Sequence, residues 1–190
     1  LARLRRVGLA SLRVVLRHEL SHIVLAERIG GVPCPRWFVE GLAMIQSSEW
    51  TFGDHWGLVR SVGRESLPSL DELEGPFPRG AVDATLAYRV SYYAVEELLR
   101  DRREELVTLT AFIRDTGSFD EAFLLTFGET PDDYAIRLHI LMLERYEKAA
   151  LLLRSVPYWG SLSLLFLAVY IVKRFRVWRR LREWDREGTG

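Results

Sequence analysis

The chain has 190 residues, with Lys+Arg and Asp+Glu balanced at 26 each, 48% hydrophobic and 27% charged side chains. That composition excludes a disordered chain, and a zero net charge excludes a nucleic-acid binder running on bulk positive charge. A single cysteine, Cys34, excludes an intrachain disulfide, a multi-cysteine zinc site and an iron–sulfur cluster. The chain opens at Leu1 with neither Met nor a secretory signal peptide, which points to a missing upstream segment.

The first predicted element is a helix over 4–29, where Leu4, Val7, Leu12, Val15, Leu16, Leu20, Ile23, Val24 and Ile29 recur at helical spacing. Gly30-Gly31 stops it, Val32-Pro33-Cys34-Pro35 makes a rigid link, and Pro35 suits the start of a second helix over 36–47. Residues 50–80 hold five Gly and three Pro and read as loop around short helical turns. Helices follow over 84–100, 103–116 and 118–127. Thr130-Pro131-Asp132-Asp133 then supplies a capping Thr, a first-turn Pro and two acids that complement the helix dipole. No strand pair and no repeat is visible.

The last helix runs into 18 uncharged residues, 155–172, between Arg154 and Lys173. At 1.5 Å per residue such a run covers roughly 27 Å, close to the thickness of a bilayer's hydrocarbon core. Tyr158 and Trp159 mark one end and Tyr170 the other, where amphipathic aromatics favour membrane interfaces. Lys173, Arg174, Arg176, Arg179, Arg180 and Arg182 follow, against only Arg145, Lys148 and Arg154 before the run. The positive-inside tendency then puts the C-terminal tail in the cytoplasm and residues 1–154 outside. The charge of the three regions is uneven in the same sense. Residues 1–17 carry five arginines and no acid, 18–172 carry 14 basic and 23 acidic side chains, and 173–190 carry seven basic and three acidic.

The chemistry lies in His18-Glu19-Leu20-Ser21-His22, a HExxH motif in mid-helix. Positions 18 and 22 share one helical face, so both imidazoles can reach one metal ion. Glu19 stands beside them, placed to polarise a water activated by the metal and to carry its proton. Zinc makes such a water acidic near neutral pH, and it needs three protein ligands with one open position. The longer metzincin pattern fails, because Leu25 and Arg28 stand where it needs Gly and His. For the third ligand, Glu40 is 18 positions beyond His22 and is the only acid in the apolar first half of its helix. Gly41 beside it permits a close helix approach. Glu49, Asp54 and His55 compete, but they fall in or near a loop and read as solvated. Placement favours Glu40.

His18–His22 followed by Trp37-Phe38-Val39-Glu40-Gly41-Leu42-Ala43 resembles the gluzincin metallopeptidases, specifically the peptidase MA-like group. The resemblance extends to Tyr88-Arg89-Val90-Ser91-Tyr92-Tyr93-Ala94-Val95 and, loosely, to Phe119-Asp120-Glu121-Ala122-Phe123 and Phe127-Gly128. It covers residues from about 10 to about 145. It implies that His18, His22 and Glu40 bind one zinc ion and that Glu19 is general base and then acid. It also implies that Tyr88 donates a hydrogen bond to the tetrahedral oxyanion. Spacing alone does not aim that ring, and a core aromatic beside Tyr92 is the alternative. His139 reads as surface or core. The sequence departs from the group in two respects. The β-sheet that usually precedes the HExxH helix is missing upstream, and Met44 stands where some gluzincins carry an acid for a zinc-bound histidine.

The expectation is a mainly α chain: a zincin-like catalytic domain over 1–150, a transmembrane helix over 151–173 and a basic cytoplasmic tail over 174–190. Its function would be zinc-dependent hydrolysis of peptide bonds in a peptide or protein substrate, on the extracytoplasmic face of a lipid membrane, without nucleic acid. The alternative is a zinc-containing, membrane-anchored binding or assembly module. An intact Glu19 favours the enzyme, because a structural zinc has no need of a general base.

Overall fold

The computed structural model describes residues 2–62, 67–77 and 80–187; side chains at 2–11, 52, 81, 150, 152–158, 172 and 175–187 are outside that description. The elements are α1 (Ala2–Arg28), α2 (Arg36–Ser47), α3 (Phe52–Val62), a 3-10 turn (Asp71–Leu73), α4 (Ala81–Leu98), α5 (Glu105–Thr116), α6 (Phe119–Phe127) and α7 (Pro131–Glu187). Among the described residues there is no strand, so the chain is mainly helical.

The predicted loop over 50–80 is corrected by α3, an 11-residue helix. Thr51 and Asp54 start it: the Thr51 N–H donates to Asp54 Oδ2 at 2.9 Å, the Thr51 hydroxyl donates to the same oxygen, and the Asp54 N–H donates back to the Thr51 carbonyl at 3.1 Å. Gly57, which argued against a helix, has a packing reason instead, since a Cβ there would overlap the Arg89 guanidinium. Thr130 behaves as its sequence predicts, with Oγ1 accepting from the Asp133 N–H at 3.2 Å.

Residues 1–150 form one compact unit and 151–190 a second, and α7 contributes to both. In the first unit α2 is the central helix. Trp37, Phe38, Leu42 and Ala43 are buried on it, and the first three share one core with Val90, Ala94 and Val95 of α4. At Gly41 the two helices come so close that a Cβ would overlap the Ser91 backbone carbonyl. Trp37 and Phe38 also meet Phe119 of α6 with ring centroids 6.1 and 5.1 Å apart, and Tyr134 of α7 closes the cluster at 6.1 Å from Trp37. Such aromatic pairs contribute about 0.5–1.5 kcal/mol each beyond their buried area. The Tyr134 hydroxyl donates to the Ala94 carbonyl, and burial pushes its phenol above the ordinary range. Burial likewise raises the Cys34 thiol to about 11, so the lone cysteine stays protonated at neutral pH.

α1 has two contrasting faces. Ser21 and Leu25, with Ile29 just past its end, turn inward along the line of His18 and His22. Leu12, Val15, Leu16, Leu20, Ile23 and Val24, the apolar positions that gave the helix its period, are each half or more exposed.

The predicted transmembrane helix over 151–173 lies within α7. Among the described residues no helix is long and apolar enough to cross a membrane. The uncharged run 155–172 falls partly outside them, at 155–158 and 172. Within the second unit by itself, residues 159–171 are all exposed.

Candidate metal centre

α1 and α2 build the site between them. His18 and His22 stand one turn apart on the inward face of α1, with ring centroids 4.9 Å apart and planes nearly perpendicular. Glu40 reaches them from the second turn of α2. Its Oε2 lies 3.4 Å from His18 Nε2 and 3.7 Å from His22 Nε2. One ligand atom from each of the three lies within 4.8 Å of the others. The two nitrogen–oxygen separations exceed an ordinary hydrogen bond and approach the roughly 3.4 Å edge between two donors ~2.1 Å from one tetrahedral ion.

The donor set itself fits zinc. A carboxylate only accepts hydrogen bonds, so the 2.9 Å contact between His18 Nδ1 and Glu49 Oε1 places the ring proton on Nδ1. In the neutral ring His18 Nε2 then carries the lone pair, on the side that faces Glu40. Two imidazole nitrogens and one carboxylate oxygen are the zinc ligands of a catalytic His2Glu site.

Glu40 is held from behind. Arg36, one turn earlier on α2, donates from Nε to Glu40 Oε1 at 3.2 Å, which leaves Oε2 for the histidines. The Arg36 guanidinium rests on the Phe77 ring, 4.7 Å from its centroid. Phe77 in turn meets the Tyr88 ring edge-on, with centroids 5.0 Å apart. Arg36 was legible as the i−4 neighbour of Glu40 on one helix. Phe77 had no such signal, because only the fold returns it from a loop 37 positions beyond Glu40.

A cavity of about 450 Å³ opens against the site, and His18, Glu19, Glu49, Asp54, Tyr88 and Arg89 are among the residues that line it. Glu19 is exposed and shares this wall with His18. Tyr88 is half-buried on this wall, and Tyr92, one turn further along α4, stacks on Trp50 with ring centroids 4.1 Å apart.

The three competitors for the third ligand have other places. Glu49 is not a solvated loop residue; its side chain is 28% exposed and bonded to His18. Asp54 accepts from Arg89 Nε at 2.9 Å. Burial pushes the Asp54 carboxyl up, but hydrogen bonds from Thr51 and Arg89 and the Arg89 charge outweigh it and hold it below its ordinary value. His55 is exposed, with its ring edge-on to Trp50 at 5.0 Å. His139 is exposed on α7.

Comparison with known protein families, curated proteins and solved structures finds no match to this chain. The likeness to gluzincins therefore stands on the sequence motifs alone: His18–His22, Trp37–Ala43, the segment from Tyr88 and, loosely, Phe119–Phe123 with Phe127-Gly128.

Proposed function

We propose that this chain is a membrane-anchored zinc peptidase of gluzincin type. The observation that carries the reading is the convergence of His18 Nε2, His22 Nε2 and Glu40 Oε2, with His18 bordering a cavity that Glu19 and Tyr88 line as well. His18, His22 and Glu40 would hold a zinc ion, which when bound would supply Lewis acidity to the site.

The chain's own residues do the rest. Glu19 takes the proton from the attacking water on its carboxylate and returns it to the departing amine. Its position next to His18 in sequence puts it at the edge of the metal centre without making it a ligand. The Tyr88 hydroxyl, from the same cavity wall, donates to the oxyanion that forms as the carbonyl becomes tetrahedral. Phe77 fixes the Tyr88 ring, and Arg36 keeps one Glu40 oxygen away from the metal side. The cavity holds the scissile segment against these groups.

The anchor reading draws support from the second unit. Leu162, Leu164, Leu165, Phe166, Leu167, Val169, Tyr170 and Ile171 are all exposed. Consecutive apolar positions on a helix point to every side, a pattern suited to lipid rather than water. In cells the full chain is expected in the membrane fraction, resistant to alkaline carbonate. Protease added to intact cells should remove the catalytic domain and spare the basic tail. Digestion of the tail alone would reverse the topology, and release by carbonate would remove the anchor.

The deciding experiment for the site is zinc content of the detergent-purified chain, beside Glu40→Ala. About one zinc per chain is expected in the parent, with catalytic sites of this kind needing three protein ligands. The variant should lose most of it, and only the parent should cleave a peptide library. A parent that stays empty in excess zinc overturns the metal reading. A parent that binds zinc and cleaves nothing leaves the zinc-containing assembly module as the better account.

A further inference from the structure

The chain departs from the gluzincin pattern at Met44, yet the carboxylate on His18 is present, delivered from elsewhere. α2 ends in a Schellman turn. The Ser48 N–H bonds the Ile45 carbonyl at 3.3 Å and the Glu49 N–H bonds the Met44 carbonyl at 3.2 Å. Ser48 takes the left-handed conformation this turn requires, at φ 60° and ψ 42°. The reversal sends Glu49 back along α2 toward α1, where its Oε1 meets His18 Nδ1 at 2.9 Å. The same oxygen accepts from the Ser47 hydroxyl at 2.8 Å, and Ser47 is fully buried.

We propose that Glu49 is the positioning residue of the metal centre. It fixes the tautomer and ring orientation of His18, with Ser47 holding Glu49 in place. Three features of the geometry carry the assignment. The contact is short and uses the imidazole nitrogen that faces away from Glu40, so Glu49 does not compete for the metal side. Glu49 is tied at two points, to a histidine 31 positions away and to a buried serine on its own turn. The Met44 side chain, one turn beyond Glu40, carries no acceptor strong enough to do this work. A carboxylate on the outer nitrogen of a ligating histidine makes the inner nitrogen more basic and removes the wrong tautomer. A charged pairing also strengthens as positive charge arrives on the ring's far side.

The inference rests on the zinc reading of His18, His22 and Glu40, and the test separates the two. Zinc affinity of the full chain in detergent is measured by chelator competition for the parent, Glu49→Gln and Glu49→Ala. The tautomer of His18 is read from imidazole nitrogen shifts of the zinc-free protein at pH 8. Partner carboxylates of this kind are worth about 10–100-fold in metal affinity. Glu49→Gln keeps the shape and a neutral acceptor, so about tenfold is expected there and close to 100-fold for Glu49→Ala. The parent should show His18 protonated on Nδ1, and Glu49→Ala should shift it toward the Nε2-protonated form. Glu49→Gln carries the test if the alanine variant does not fold, since it leaves the packing volume unchanged. Variants that bind zinc within twofold of a zinc-binding parent, or an unchanged His18 tautomer in Glu49→Ala, overturn the role of Glu49 while the metal site stands. A parent that binds no zinc overturns both.

Discussion

Glu19→Gln is expected to lower peptide hydrolysis by about 10³-fold while zinc content stays at the parent's level, which separates the base from the ligands. Glutamine has the shape of glutamate but cannot take a proton from water at neutral pH. Glu19 is exposed and bonds neither histidine, so its replacement disturbs neither the His18–Glu49 contact nor the Arg36–Glu40 contact. Exposed substitutions of this kind usually change stability by less than about 0.5 kcal/mol. The loss should therefore fall on kcat with KM little changed, because the proton transfer belongs to the transition state and not to substrate binding. The measurement is steady-state hydrolysis of a library-derived peptide, with zinc determined on the same samples. A variant within tenfold of the parent would exclude Glu19 as the base. Loss of zinc along with activity would place Glu19 among the ligands instead.

Most of this centre is local in sequence, which is why it could be read there. His18, Glu19 and His22 follow from the period of one helix, and Glu40 from its place on the next. α2 occupies the predicted span, 36–47, because Pro35 and the Ser47–Ser48 turn bracket it sharply. The parts that escaped reading depend on tertiary returns. Glu49 looks like a loop acid until the left-handed residue at Ser48 turns it toward α1. Two glycines hid α3, although Thr51 and Asp54 hold the signature of its start. The period of α1 gave its helical state correctly but not its orientation. The inward face carries the histidines with Ser21 and Leu25, whereas the longer apolar row from Leu12 to Val24 stays exposed. A hydrophobic count alone would have turned that helix the wrong way.

Gly41→Ala should destabilise the first unit and weaken zinc binding together, since one residue sets both the spacing of α2 from α4 and the place of Glu40. Two opposing effects act at this position. Alanine favours a helix over glycine by up to about 1 kcal/mol. Against that, the new Cβ would overlap the Ser91 carbonyl and lie 2.7 Å from Val95 Cγ2. A backbone carbonyl cannot rotate aside as a flexible side chain can, so the helices must separate. Overpacking in a close-packed core costs typically about 1–3 kcal/mol, and a backbone obstacle puts this case at the upper end. The clash outweighs the propensity gain, leaving a net loss of about 2 kcal/mol. For a chain of this length that lowers the unfolding midpoint by roughly 4–8 °C. Because Glu40 precedes Gly41 on α2 and Tyr88 stands on α4, any widening between these helices alters the spacing of the proposed ligand and the proposed oxyanion donor. Differential scanning calorimetry with chelator competition tests both parts. An unchanged or raised midpoint would mean that propensity wins and that the α2–α4 contact relaxes without cost. A lowered midpoint with full zinc affinity would show that Glu40 keeps its place independently of that contact.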